Sequence, residues 1–237
     1  MFDETYLGFY GEVLGPERTG AECDRIFGLL GSSRRSRLVD LCCGHGRHAR
    51  ELATRGVEVV GVDRSASFLR HAREGAPPGA RFVRADVAAL PLAAERFDGA
   101  YCWFSSIGYR GPTEDLAMLR EARRVLRPGA SLAVETRNWA TIETGESVIE
   151  TPRGRMVDRV ERDEACGRLR TRRRYEPDGG APREVAFSLH LYDAAGFARL
   201  LGTAGFADVR AFDGEDRPLF PTAKRVTFVG RRSPTDP

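Results

Sequence analysis

The chain has almost no lysine. Lys224 is the only one, so nearly all of its 37 basic side chains are arginine. It also lacks any apolar run near the roughly 18 residues that a membrane helix needs. Its first residues, MFDETYLGFYGEV, are acidic and carry no basic-then-apolar leader pattern, so the expectation is a soluble, cytoplasmic protein with no membrane partner. Cysteine pairs of the C-x-x-C type are missing. The five cysteines (Cys23, Cys42, Cys43, Cys102 and Cys166) are odd in number, which disfavours a disulfide framework or a cysteine zinc site and fits reduced thiols. There are no internal repeats. What charge imbalance exists is mild, +3 from 37 basic and 34 acidic residues. The preference for arginine reads either as anion recognition, since guanidinium suits carboxylate and phosphate, or as the codon bias of a GC-rich genome. For the chain as a whole the second reading is preferred.

At 237 residues the chain is long enough for one domain with an elaboration. Residues 1–35 read as helical and amphipathic, closing on Gly31. After them, short apolar strands alternate with helices. SRLVDLC, VEVVGVD, ARFVRADV, RFDGAYCWF and ASLAVETRN are five strands in turn. Ser65 is placed to cap the helix ASFLRHAREG, and Thr113 to cap TEDLAMLREARRVLRPG, which should stop at Pro128-Gly129. This rhythm argues a parallel sheet with helices on both faces. It changes after Asn138. Residues 147–192 alternate in period two, with Val185, Phe187, Leu189 and Leu191 on one face and Ala186, Ser188, His190 and Tyr192 on the other. Arg168, Arg170, Arg172 and Arg174 share a strand face, and Pro177-Asp178-Gly179-Gly180 is turn chemistry. The segment reads as a small antiparallel insert. Asp193 then caps a further helix, and two strands, ADVRAFDG and KRVTFVGRR, close the domain.

The stretch RLVDLCCGHGRHARELATRGVEVVGVDRS carries the chemistry. A glycine turn after the first strand of such a sheet lies at its ligand-binding crevice. Gly44-His45-Gly46-Arg47-His48-Ala49 matches the dinucleotide pattern G-x-G-x-x-A, a weak signal alone. Asp40, four residues before Gly44, decides between ligands. A dinucleotide would set its pyrophosphate against this turn, beside a carboxylate that repels it. S-adenosylmethionine has no phosphate; its ammonium and sulfonium are attracted to a carboxylate. Asp63, ending the second strand, can accept both ribose hydroxyls. Asp86, after the third, can accept from the adenine amine, with the Val87 amide donating to the ring.

These residues resemble the class I S-adenosylmethionine-dependent methyltransferases. The resemblance is strong over residues 36–137 and looser to residue 231. The family's first motif, acid-x-G-x-G-x-G, is Asp40-Leu41-Cys42-Cys43-Gly44-His45-Gly46 here, with Cys42 in place of the first glycine. The resemblance implies a cofactor set of Asp40, Cys42, Gly44, Gly46, Asp63, Arg64, Asp86, Val87, Trp103 and Phe104. It also implies that the N-terminal segment, with Tyr6, Tyr10 and Arg18, closes over the cofactor, which adds Tyr10. The expected fold is α/β, a Rossmann-like seven-stranded methyltransferase sheet with helices on both faces and an antiparallel β insert after strand five. The expected division is 1–35 as an N-terminal helical cap, 36–137 and 193–232 as the S-adenosylmethionine-binding domain, 138–192 as a substrate-covering insert, and 233–237 as a flexible tail.

After the fourth strand, Ser105-Ser106-Ile107-Gly108 is not the Asp/Asn-Pro-Pro-aromatic motif of methyltransferases acting on base amines or glutamine. Phe104-Ser105-Ser106-Ile107-Gly108-Tyr109 instead resembles the small-molecule branch, including amino-sugar N,N-dimethyltransferases of antibiotic pathways. The candidate catalytic residues are Tyr109 and His190. His45 and His48 lack a third ligand, so no metal is expected. The arginine face of 168–174 reads as substrate-anion recognition, as an RNA contact, or as a solvated strand edge, with the last preferred; only Tyr175 interleaves it to stack a base. The sequence thus predicts transfer of a methyl group to nitrogen or oxygen of a small molecule, with no nucleic-acid partner and as a monomer or homodimer. An RNA or protein methyltransferase, and a catalytically inactive cofactor-binding protein, remain the alternatives.

Overall fold

A computed structural model of the chain describes residues 4–11 and 13–235. Residues 1–3, 12 and 236–237, which belong to the expected N-terminal cap and flexible tail, lie outside the described residues. Two short helices open the chain, α1 (Glu4–Tyr10) and α2 (Pro16–Leu29). The alternating core follows: β1 (Arg37–Leu41), α3 (Arg47–Thr54), β2 (Glu58–Asp63), α4 (Ala66–Arg73), β3 (Ala80–Arg84), β4 (Phe97–Cys102), α5 (Pro112–Val125) and β5 (Leu126–Arg137). Four strands come next, β6 (Gly145–Thr151), β7 (Gly154–Asp163), β8 (Arg168–Pro177) and β9 (Arg183–His190). The chain then returns through α6 (Ala194–Thr203), β10 (Phe206–Phe212) and β11 (Arg225–Arg232).

The large sheet has seven strands in the order β10-β11-β5-β4-β1-β2-β3, with β11 antiparallel to β5 and β10 antiparallel to β11. The other pairings are parallel. Strand alternation explains why both faces carry helices. Val39, Leu41, Val60 and Val62 pack with Met118 and Leu119 of α5 and Phe197 and Leu201 of α6. Leu38, Val59 and Tyr101 point the other way, onto Cys23 and Ile26 of α2 and Ala49 and Leu52 of α3. Strand order reverses between β1 and β4, and a crevice opens beyond the carboxyl ends of the strands at such a switch point. β6 to β9 form a separate four-stranded antiparallel sheet. The seven-stranded α/β fold with an antiparallel insert after the fifth strand is therefore as the sequence predicts.

Local signals differ in how far they hold. The Ser65 hydroxyl accepts from the Phe68 amide at 3.2 Å, and the Asp193 carboxylate from the Gly196 amide at 2.5 Å, so both caps form. Thr113 does not cap α5. The N-cap is Gly111 at φ 112°, and Pro112 occupies the first turn, where its missing N–H costs nothing. Nor does α5 run to Pro128-Gly129. It ends at Val125, because the residue Leu126 is already extended and paired with Phe97 of β4. Residues 233–235 form a turn at the end of the described chain.

Candidate active site

A cavity of about 840 Å³ lies beyond the ends of β1 to β4 and reaches the inner face of the inserted sheet. Cavities of roughly 300–1,000 Å³ hold small ligands, so this one is at the generous end. Helix α1 closes it. Tyr6 and Tyr10 stack with centroids 4.5 Å apart, Tyr6 leans on Phe68 of α4 at 5.7 Å, and Phe9 on Tyr175 of β8 at 5.1 Å. The helix therefore bridges the α/β body and the insert, using three aromatic faces of one seven-residue helix.

The floor is built from the turns after the strands. Asp40 is 2% exposed; its Oδ2 and the neighbouring Tyr101 hydroxyl are buried without a well-aligned hydrogen bond, although the two groups interact with each other. Burial pushes the Asp40 carboxyl well above its usual range, with Tyr101 and Arg47 opposing more weakly. This changes the charge argument made from sequence. Position 40 is a buried acid whose ionised form Arg47 and Tyr101 offset only in part, and a cation beside it would offset it further. Cys42 stands at φ 59°, the left-handed region that favours glycine, which explains why glycine is usual there and what the cysteine costs. Gly46, at φ 78°, starts α3 and does not line the cavity. A Cβ there would lie 2.7 Å from the Phe82 ring and 2.9 Å from Ala72, so this glycine lets α3 close against α4 and β3. Asp63 accepts from the Gly44 amide and the Ser65 amide, each at 2.8 Å, which fixes the carboxylate and leaves further lone pairs toward the cavity. Asp86 is on the rim. The Ala88 amide and Arg110 hold its pKa low, with the Arg110 guanidinium at 2.5 Å. Gly44, Arg64, Val87, Trp103 and Phe104 also line the cavity.

The segment after β4 is held in an uncommon conformation. Phe104 and Ser105 have φ values of 63° and 56°. Buried Glu135 of β5 stabilises it, its carboxylate accepting from the Phe104 amide at 2.8 Å and its carbonyl from the Ser105 amide at 3.1 Å. Arg225 of β11 pairs with the same carboxylate. The guanidinium groups of Arg18, Arg47 and Arg225 lie 5.1, 5.6 and 5.2 Å from the centroid of the Phe104 ring. Further along, the Gly108 amide donates to Asp115 at 3.0 Å and its carbonyl accepts from the His190 amide at 2.8 Å. A Cβ at Gly108 would fall 2.2 Å from the His190 carbonyl oxygen, so only glycine permits this seam between body and insert.

The two catalytic candidates part company. Tyr109 lines the cavity, but burial raises its pKa, so at neutral pH the hydroxyl is a hydrogen-bond donor and not a base. His190 does not line the cavity. It follows Leu189, which does, and strand alternation turns its ring to the opposite face, 4.6 Å from the Tyr192 ring. Of the two catalytic candidates, the structure thus brings Tyr109 and not His190 into the cavity. His48 bonds Glu22 at 2.8 Å and His45 packs edge-on to Phe68; burial takes each pKa down to about 4.

Sequence reasoning missed the charged groups of the insert. Arg170, Arg172 and Arg174 are exposed and face away, with Arg170 paired to Asp163 and Arg174 to Glu176. Between them, Arg173 is buried beside Leu169, Thr171 and Tyr175 on the inner face, and it lines the cavity. Its guanidinium grips Asp158 with two bonds of 2.6 and 2.5 Å. The signal was present as an arginine in phase with an otherwise uncharged strand face, hidden inside the arginine run. Arg137, at the end of β5, lines the cavity too.

Residues 38–129 match a family model described as a methyltransferase domain. Curated relatives over the same region include a malonyl-[acyl-carrier protein] O-methyltransferase of Pseudescherichia vulneris. It is 33% identical over 118 residues, which is 48% of this chain and 43% of the relative. A demethylmenaquinone methyltransferase of Beutenbergia cavernae is 36% identical over 117 residues, 48% of this chain and 47% of the relative. The chain thus spans less than half the length of these relatives. Among solved structures, the CcbJ methyltransferase of Streptomyces caelestis superposes with a TM-score of 0.80 at 25% identity, over 92% of this chain and 90% of that one. CalS10, an amino pentose methyltransferase of Micromonospora echinaspora, shares the fold with a TM-score of 0.72 at 22% identity, over 92% and 91% of the two chains. Residues 38–129 thus match a methyltransferase domain, and the chain as a whole shares the fold of solved methyltransferases.

Proposed function

We propose that the protein transfers a methyl group from S-adenosylmethionine to a nitrogen or oxygen of a small molecule, in a biosynthetic pathway. The observation that carries this reading is the single continuous cavity. At one end lies a deeply buried carboxyl whose Oδ2 lacks a well-aligned hydrogen bond, and at the other the inner face of a sheet that the matched domain does not include. The cofactor, when bound, supplies an electrophilic methyl carbon on a sulfonium. Asp40 would take the cationic methionine part, beside the Cys42-to-Gly46 turn. Asp63 would accept the ribose hydroxyls, and Asp86 and the Val87 amide would meet the adenine. Arg64, Trp103, Phe104 and Tyr10 would wall the same half, with Tyr10 at the C-terminal end of helix α1, where it also borders the insert. The insert, residues 138–192, would cover the acceptor and keep water out.

Nitrogen and oxygen acceptors ask different things of the lining. A neutral amine attacks with its own lone pair, whereas a hydroxyl needs a base as it reacts. Tyr109 stays protonated, and Asp158 is committed to Arg173. Tyr109 is then a group that orients the acceptor. A polymer acceptor fits less well, since the exposed arginines of β8 face away from the cavity. Free cysteines throughout the described residues support a cytoplasmic setting. Self-association as a homodimer, against a monomer, is open to sedimentation.

Incubation with labelled cofactor and pools of small amines and alcohols tests the reading. The expected result is a small product heavier by one methylene. Strong, salt-dependent RNA binding with RNA as the labelled product would favour the polymer alternative. Tight cofactor binding without turnover on any pool would favour an inactive binding protein.

A further inference from the structure

Six arginines line the cavity, and five of them are accounted for. Arg47 pairs with Glu22, Arg110 with Asp86, Arg173 with Asp158 and Arg225 with Glu135. Arg64 is exposed at the rim, within the field of Asp86. Arg137 is different. It is half-buried, it lines the cavity, and its guanidinium has no hydrogen bond or ion pair among the described residues. Asp158 is its strongest acidic neighbour, but both oxygens of that carboxylate already serve Arg173. Burial disfavours the charge on Arg137, as expected for a guanidinium left without a counter-ion.

Its place in the fold sets what could meet it. Arg137 ends β5, at the same edge of the sheet as the cofactor turns, and Tyr10, Asp158 and Arg173 surround it from α1 and the insert. It therefore belongs to the acceptor half. Arg173 and Asp158 cancel there, and Glu143 acts on Arg137 only as its weakest neighbour, so the Arg137 guanidinium remains unpaired. Tyr109 and Phe187, 6.4 Å apart, offer an aromatic wall on the insert side. A planar guanidinium matches a carboxylate with two parallel bonds, and a single unpaired guanidinium with acidic neighbours matches a monoanion better than a phosphate or diphosphate.

We propose that the acceptor is a carboxylate-bearing small molecule whose carboxylate is seated on Arg137, with its apolar body against Tyr109 and Phe187. This rests on the methyltransferase reading and names the substrate class of the same site. Arg137 then acts as a specificity determinant. It fixes which end of the acceptor faces the insert, and it turns uncharged analogues away because they leave the guanidinium unpaired.

The test uses full-length protein loaded with S-adenosylhomocysteine, with benzoate, benzamide and phenyl phosphate as probes followed by calorimetry or ligand-observed NMR. Benzoate should bind saturably, at least tenfold more tightly than benzamide or phenyl phosphate. Arg137→Gln should weaken benzoate at least tenfold while holding S-adenosylhomocysteine within about twofold of wild type, which also shows that the variant is folded. Arg172→Gln, on the outer face, should leave both affinities unchanged. No benzoate binding to the loaded wild type, equal binding of benzamide, tighter binding of phenyl phosphate, or an unaffected Arg137→Gln would each overturn the proposal. Failure to bind S-adenosylhomocysteine at all would sink the methyltransferase reading itself, and this proposal with it.

Discussion

The α/β body and the inserted sheet contribute to one cavity in different ways. In the body, cavity groups come from turns at strand ends, and backbone geometry places them. Asp63 is pinned by two amides, and Cys42, Phe104 and Ser105 sit at positive φ. In the insert, cavity groups come from mid-strand positions, where alternation and cross-strand register place them. Asp158 and Arg173 are directly opposed in the β7–β8 ladder. The matched family region covers the body's turns through residue 129 and stops before the insert. A turn that must fit a backbone-reading ligand tolerates little change, whereas a strand face can change its side chains without changing its path. The body's turns thus lie inside the matched region, and the inserted sheet lies outside it.

Four substitutions sharpen or break this contrast. The largest expected effect is in the insert. Arg173→Met leaves Asp158 buried without its partner and should cost about 3–5 kcal/mol of stability in denaturant unfolding, while Arg173→Met with Asp158→Leu should recover most of it. If the single variant were as stable as wild type, the insert would not depend on this pair. In the body, Asp63→Ala should weaken S-adenosylmethionine by about a hundredfold or more in calorimetry, by the loss of charged hydrogen bonds to ribose. An unchanged affinity would refute the ribose assignment. At the seam, Gly108→Ala forces a Cβ onto the His190 carbonyl and should cost about 1–3 kcal/mol, with the KM for the acceptor rising more than the cofactor Kd. Equal changes in both would argue against separable halves. The smallest effect concerns Asp40. Burial raises its pKa in the free protein, and a cation beside it lowers that pKa, so cofactor binding expels a proton. Affinity should therefore weaken as pH falls through the raised pKa. Asp40→Asn should bind about tenfold less tightly at alkaline pH and show no such pH dependence. A pH-dependent Asn variant would break the argument.

How much was legible follows the range of each signal. The strand-and-helix rhythm, the caps at Ser65 and Asp193 and the acids ending strands one to three depend on residues a few positions apart. So does the exchange of glycine for Cys42. The end of α5 was misjudged because Pro128-Gly129 is a strong local stop, while pairing with β4 converts the chain to strand at Leu126. His190 was named and Arg173 passed over for the same kind of reason. Period two says which residues share a face, but not which face meets the cavity.

The sequence by itself determined an α/β sheet with an adenosine-shaped set of acids at its strand ends and an antiparallel insert after the fifth strand, because hydrophobic period and turn chemistry are local properties. Only the tertiary structure decided that Asp40 is a deeply buried acid, that Tyr109 faces the cavity while His190 turns away, and that Arg137 has no ion pair among the described residues while Arg173 and Arg225 are paired. Burial and pairing are sums over neighbours that lie far apart along the chain, such as Arg225 with Glu135, and no window of sequence contains them.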